Sequence, residues 1–189
     1  MSPPWAFAAV ALLIGASLIL DLALAKRYAG GRNHHDGVMW GLLVISLGGN
    51  MTLAIALSLS GVGLIGWKTD LVAATGVALG VAGLALRYGA IFALGRQFTW
   101  RVTILDGHRL VTRGLFARVR HPSYTGGLLA AVGIILILGN WLALALFCAT
   151  HVPLVLRRIM LEEIALARHF REAYVAYCDR TWKLVPFVY

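Results

Sequence analysis

Acidic side chains are scarce in this chain. There are 8 Asp and Glu against 17 Lys and Arg, and charged residues make up only 13% of its 189 positions. Soluble domains carry about 25% charged and about 45–50% apolar residues. Here 60% of residues are hydrophobic and mean hydropathy is +0.80. One small domain cannot hide that much apolar surface from water, so the composition points to an integral membrane protein. Cysteine is nearly absent as well. Cys148 falls in an apolar run and Cys178 in a basic tail, so neither a disulfide nor a zinc framework is expected. There is no Gly-rich phosphate loop after a strand, no Walker pattern and no nucleophile triad. The formal charge of +9 would hint at nucleic acid in a soluble protein. In this chain the basic residues lie in loops between greasy segments, without interleaved aromatics. Topology and anionic membrane lipid account for them, and no nucleic-acid partner is expected.

What is present is a series of apolar runs near the roughly 20 residues a crossing needs. Five are candidates: about Pro4 to Ala25, Val38 to Ser60, Leu71 to Leu94, Pro122 to Gly139, and Trp141 to about Leu156. The last two are the shortest. Gly139-Asn140-Trp141 joins them, which reads as a tight hairpin. The start MSPPW has no basic n-region, so the first run is read as a retained helix although Ala23-Leu24-Ala25 mimics a cleavage site. The fold class expected is an all-α, five-span membrane protein of one domain.

Fifteen of the 17 basic residues fall in three segments, 26–37, 95–121 and the tail from 157. With five spans these segments share one side. The positive-inside rule then places the N-terminus outside and the tail in the cytoplasm. The exceptions are Lys68, on the opposite side, and Arg87, inside the third run. Trp5, Trp40, Trp67 and Trp141 stand near helix ends, as an interfacial belt requires. The Ala-, Gly- and Arg-rich composition points to a prokaryotic inner membrane.

Two cytoplasmic pieces exceed mere connectors. In 95–121, the run Val102–Leu105 and the Asp106-Gly107 turn suggest extended structure. In the tail, Leu166, Phe170, Tyr174 and Tyr177 recur on one helical face, and Arg168 and Glu172 stand at i,i+4 on another. By periodicity this is an interfacial amphipathic helix. Arg158 and Glu162 also stand at i,i+4, where the fifth run leaves the membrane. Spacing alone makes them a surface ion pair of under about 1 kcal/mol, yet ionisable groups at that depth are usually paired or functional. His121-Pro122 reads first as a helix start, because Pro is preorganised for the first turn. His121 and Tyr124 read equally well as interfacial polar rings. Asn33-His34-His35-Asp36 has metal-ligand chemistry but is short and isolated, so a solvated loop is preferred. His151 with Pro153 suggests a kink. Asp21 and Asn50 are polar groups suited to pairing between helices.

In order, "HRLVTRGLFARVRHPSYTGG" (108–127), an apolar hairpin and "R-x-x-x-EE-x-x-L-x-x-x-F-x-x-x-Y-x-x-Y" (158–177) resemble the isoprenylcysteine carboxyl methyltransferases, with the phospholipid methyltransferases related. The likeness covers about 95–187. It implies a membrane methyltransferase using S-adenosyl-L-methionine, bound on the cytoplasmic side. Carried over by position, it implies cofactor contacts from His108, Arg109, Leu110, Val111, Phe116, His121, Pro122, Ser123, Tyr124 and Glu162. It implies that Arg158 faces the methyl acceptor. The family's Gly-x-Tyr stands here as Gly114-Leu115-Phe116, which lacks the phenol but keeps a ring that can stack.

Such a site would receive a lipophilic acceptor from the bilayer, most simply a carboxylate. A sulfonium methyl is already activated, so catalysis is mainly positioning and exclusion of water. The rival readings are a phospholipid or amine N-methyltransferase, a sterol-type membrane reductase using NADPH, and a non-catalytic membrane scaffold.

Overall fold

A computed structural model describes residues 3–27, 37–66, 69–100, 104 and 107–188. The Asn33–Asp36 cluster, Trp67, Lys68, Arg101 and most of the 102–106 stretch lie outside the described residues. The chain forms α1 (Ala6–Arg27), α2 (Gly37–Ser60), α3 (Thr69–Leu94), two short 3-10 turns (Gly95–Gln97 and Gly114–Ala117), α4 (Pro122–Ile137), α5 (Trp141–Phe170) and α6 (Glu172–Cys178).

Four helices, α1, α2, α3 and α5, are long and apolar enough to cross a membrane. The fourth apolar run becomes α4, which has only 16 residues. At 1.5 Å per residue that is about 24 Å, short of a hydrocarbon core of roughly 30 Å. The helix is secured by a partner. α4 packs mainly along α3, while α5 packs mainly along α2. The α3–α4 seam is lined by Gly76, Gly80 and Gly83 against Gly126, Ala130 and Gly133. A Cβ at Gly76 would stand 2.6 Å from the Gly133 carbonyl oxygen. Small residues at such spacing let backbones touch.

α5 runs 30 residues, about 45 Å, well past the expected end near Leu156. Hydropathy falls at Arg157. The backbone ladder does not change, and the helix continues to Phe170 with Pro153 inside it. The tail helix expected as one piece is broken at Arg171, whose φ is +49°. Leu166 and Phe170 therefore belong to α5, and Tyr174 and Tyr177 to α6.

The turn between α4 and α5 is built from polar bonds. Gly139 takes φ +63°. The Asn140 side chain accepts from the Ala143 N–H at 2.9 Å and donates to the Val62 carbonyl at 2.8 Å. The two interhelical pairings anticipated from sequence form. Asn50 donates to Thr150 Oγ1 at 3.0 Å, joining α2 to α5. Asp21 on α1 meets Tyr88 Oη at 2.8 Å, joining α1 to α3.

Candidate active site

The chain enters α4 after His121, the residue that precedes its first turn. Pro122 occupies the first turn of α4, where its missing N–H costs nothing. This start aims Tyr124 at the end of α5. Arg158, 5% exposed, donates from Nε to Tyr124 Oη at 2.7 Å and from Nη2 to the Trp100 carbonyl at 2.5 Å. Tyr124 in turn donates to Glu162 Oε2 at 2.7 Å. One phenol thus sits between the arginine and the carboxylate that stand one turn apart on α5.

Glu163 lies about 100° further round the helix and serves another set of partners. It takes Arg120 Nε at 3.0 Å, Lys183 Nζ at 3.0 Å and His121 Nε2 at 3.3 Å. Arg120 also donates to the carbonyls of Cys178, at 3.2 Å, and Thr181. The last residues close this knot as an irregular ribbon. Arg120 N–H donates to the Trp182 carbonyl at 2.8 Å, and His121 N–H to the Lys183 carbonyl at 3.1 Å. The Thr125 hydroxyl donates to the Leu184 carbonyl at 2.8 Å.

Among the residues expected to form the site, His121, Tyr124, Arg158 and Glu162 are brought together. Oε1 of Glu162 stands 4.0 Å from His121 Nδ1, so this oxygen keeps acceptor capacity. His108 stacks edge-on against Phe170 at 5.8 Å. Burial, with His169, pushes its pKa below the ordinary value, against the opposing charge of Glu162. Its imidazole is therefore neutral at pH 7. Phe116 is buried, and its carbonyl accepts from Tyr177 Oη at 2.7 Å. Burial lifts that phenol to about 12, so it stays a donor. Arg109 is exposed, with its N–H donating to Gln97 Oε1 at 3.2 Å. Leu110, Val111 and Ser123 are half-buried.

Sequence reasoning gave no site role to Lys183 or Trp100, and it did not foresee the pairing of Arg120 with Glu163. The paired glutamates 162 and 163 offered a signal, since adjacent helical residues face different neighbours. A cavity of about 540 Å³ lies beside the site, with Leu86, Leu115, Arg118, Pro122 and Thr125 in its walls. It opens on a different face of α4 from Tyr124. Among the described residues no cluster of three metal-ligating side chains occurs.

The model of the isoprenylcysteine carboxyl methyltransferase family matches residues 76–168. That stretch is just under half of the chain, and over it the chain is similar to that family. It is 36% identical over 115 residues to protein-S-isoprenylcysteine O-methyltransferase B of Arabidopsis thaliana, covering 60% of this chain and 58% of the relative. The protein-S-isoprenylcysteine O-methyltransferase of Mus musculus is 35% identical over 117 residues, covering 61% of this chain and 41% of the relative. The chain therefore spans about half the length of these relatives. A solved structure of a eukaryotic intramembrane Ras methyltransferase of this family aligns with a TM-score of 0.59 and 25% identity, over 83% of this chain and 55% of that one. The fold is thus a multi-pass, all-helical membrane fold of the isoprenylcysteine carboxyl methyltransferase kind. The matched stretch contains Tyr124, Arg158, Glu162 and Glu163, and it excludes α1 and α2.

Proposed function

We propose that the protein is a membrane methyltransferase that uses S-adenosyl-L-methionine to methylate the carboxylate of a lipophilic, isoprenylcysteine-type acceptor. The observation that carries this reading is the Arg158–Tyr124–Glu162 chain of hydrogen bonds, at 2.7 Å on each side of the phenol, inside the family-matched residues. Glu162 has the chemistry to hold ribose hydroxyls or an ammonium, and His121 and Tyr124 offer further polar atoms beside it. When bound, S-adenosyl-L-methionine supplies an electrophilic sulfonium methyl. The protein's own share is to hold, orient and dry the reactants. Arg158 carries its N–H donors in a planar fork, and its bonds to Tyr124 and Trp100 help to fix the plane of that fork. A planar fork suits a carboxylate and has less to offer an amine.

The topology that fits this reading has five crossings, with α4 as the short fourth. The N-terminus is then outside, and the loop before α4, the end of α5 and α6 are in the cytoplasm. Lipophilic acceptors would reach Arg158 from the bilayer, and the cofactor would arrive from water.

The decisive experiment incubates the purified protein in lipid with methyl-labelled S-adenosyl-L-methionine and either S-farnesylcysteine or a phosphatidylethanolamine. A methyl ester releases labelled methanol in mild base, and an N-methyl group does not. Base-labile product from farnesylcysteine is expected. Label retained only on the amine would replace the carboxyl reading with N-methylation.

A further inference from the structure

The helix α1 lies outside the family-matched residues, yet a chain of contacts joins it to Arg158. Asp21 of α1 stands 3.6 Å from Arg87 Nη2 of α3, with side chains 33% and 23% exposed. Tyr88 Oη lies 2.8 Å from the same carboxylate oxygen and 2.9 Å from the Ser17 carbonyl. The Arg87 guanidinium lies 5.9 Å from the centre of the Trp100 ring. Trp100 is packed edge-on against Phe98 at 5.0 Å and against the cluster of Leu24, Tyr88 and Ile91. Its carbonyl receives Arg158 Nη2 at 2.5 Å. Its own indole N–H is buried without an acceptor among the described residues.

An ionic pair on two otherwise apolar helices is costly, and such groups are usually kept for a purpose. Tying α1 to α3 is the plainest purpose. The geometry goes further. The guanidinium leans on a ring that belongs to neither helix, and that ring's backbone grips the arginine proposed to meet the acceptor. A cation beside an indole face is held by the ring's negative potential. Movement of Arg87 therefore moves Trp100, and with it a bond that orients Arg158.

We propose that Asp21, Arg87 and Trp100 are positioning residues that set Arg158 for the acceptor, so that α1 controls acceptor use without touching it. This rests on the carboxyl-methylation reading. His121 is held by Glu163, and Glu162 meets Arg158 only through Tyr124 in the bonds described, so the effect falls mainly on the acceptor.

The test uses the full chain in lipid, with S-farnesylcysteine as acceptor and S-adenosylhomocysteine as the cofactor probe. Arg87→Gln is expected to lower kcat/KM for the acceptor at least tenfold and to leave the S-adenosylhomocysteine Kd within twofold. Arg87→Lys should restore part of the loss. In an Arg158→Lys background, Arg87→Gln should cost little more, because residues acting through one another are non-additive. Should Arg87→Gln fail to fold, Tyr88→Phe keeps the ring and frees Asp21 of one bond, and a smaller loss on the acceptor side alone is expected. Turnover unchanged by these variants, losses that add to that of Arg158→Lys, or cofactor affinity falling in parallel would each overturn the proposal. A wild-type protein that binds S-adenosylhomocysteine but esterifies no carboxylate sinks the methylation reading, and this inference with it.

Discussion

The helices α1 and α2 and the knot of residues 114–184 solve different problems. On α2, Ile45 is 73% exposed, whereas Ile159 in the knot is wholly buried. The apolar sides of α1 and α2 face outward over most of their length, where lipid takes the place of a protein core. Many apolar sequences satisfy that demand equally well. In the knot, side chains are committed to named partners: Glu163 to Arg120, Lys183 and His121, Tyr124 to two neighbours on α5, Thr125 to the last stretch of chain. A segment that needs only apolarity carries little identity, and one that needs specific partners carries a great deal. This is why the recognisable residues gather in the second half.

The sharpest way to break the contrast is Glu163→Ala. It would leave the Arg120 and Lys183 cations, with side chains 11% and 20% exposed, without their shared counter-charge, and His121, 3% exposed, without that acceptor. Removing one partner of a buried ionic group costs about 3–5 kcal/mol. A large drop in thermal stability in detergent is expected, with release of the tail that a protease would detect. A melting temperature unchanged from wild type would show that the tail is held by backbone bonds alone.

Arg158→Lys should act differently, chiefly on chemistry, with a smaller stability cost than Glu163→Ala because the charge is kept. Lys keeps the charge but loses the fork that bonds Tyr124 and Trp100 and would grip a carboxylate. Losing charged hydrogen bonds of about 2–3 kcal/mol means roughly 30- to 150-fold in turnover. Cofactor affinity should hold. Loss of both together would move Arg158 from the acceptor to the cofactor.

How far these commitments were legible varies along the chain. The apolar runs announced the long helices, because hydropathy reports solvent directly. Arg158, Glu162 and Tyr124 were legible through helical spacing and the likeness of 108–127 and 158–177 to one family. The break at Arg171 was not, since neither Gly nor Pro marks it. It becomes intelligible only once α6 buries Tyr174 and Tyr177. The α3–α4 seam was hidden for a different reason. Glycines at 76, 80 and 83 read as flexible or neutral along one helix, and their role appears only with the facing helix in place. The partners of Glu163 were not legible because they come from positions 120, 121 and 183, a separation that no local pattern encodes.

Glu162→Ala sharpens the division of labour within the knot. Its carboxylate takes the Tyr124 proton donor and keeps a second oxygen 4.0 Å from His121 Nδ1. If that oxygen holds the cofactor, the loss is a charged hydrogen bond of about 1.5–3 kcal/mol. S-adenosylhomocysteine should then bind at least about tenfold more weakly by calorimetry, with stability changed far less than in Glu163→Ala. Equal destabilisation by the two variants would mean that both glutamates are structural.

The smallest effect belongs to the outward-facing half. Ile45→Ala removes a large side chain that is 73% exposed and meets lipid in the proposed topology. Deleting a buried Ile costs about 2–5 kcal/mol because it leaves a cavity. Here no cavity forms, since mobile acyl chains fill the space, and the change should stay within about 0.5 kcal/mol, as for other substitutions away from packed features. A thermal scan of Ile45→Ala beside Ile159→Ala in the same lipid measures the contrast directly. A loss at Ile45 rivalling that at Ile159 would mean that α2 is covered by protein, and a second copy of the chain would then be the first occupant to look for by crosslinking in native membranes.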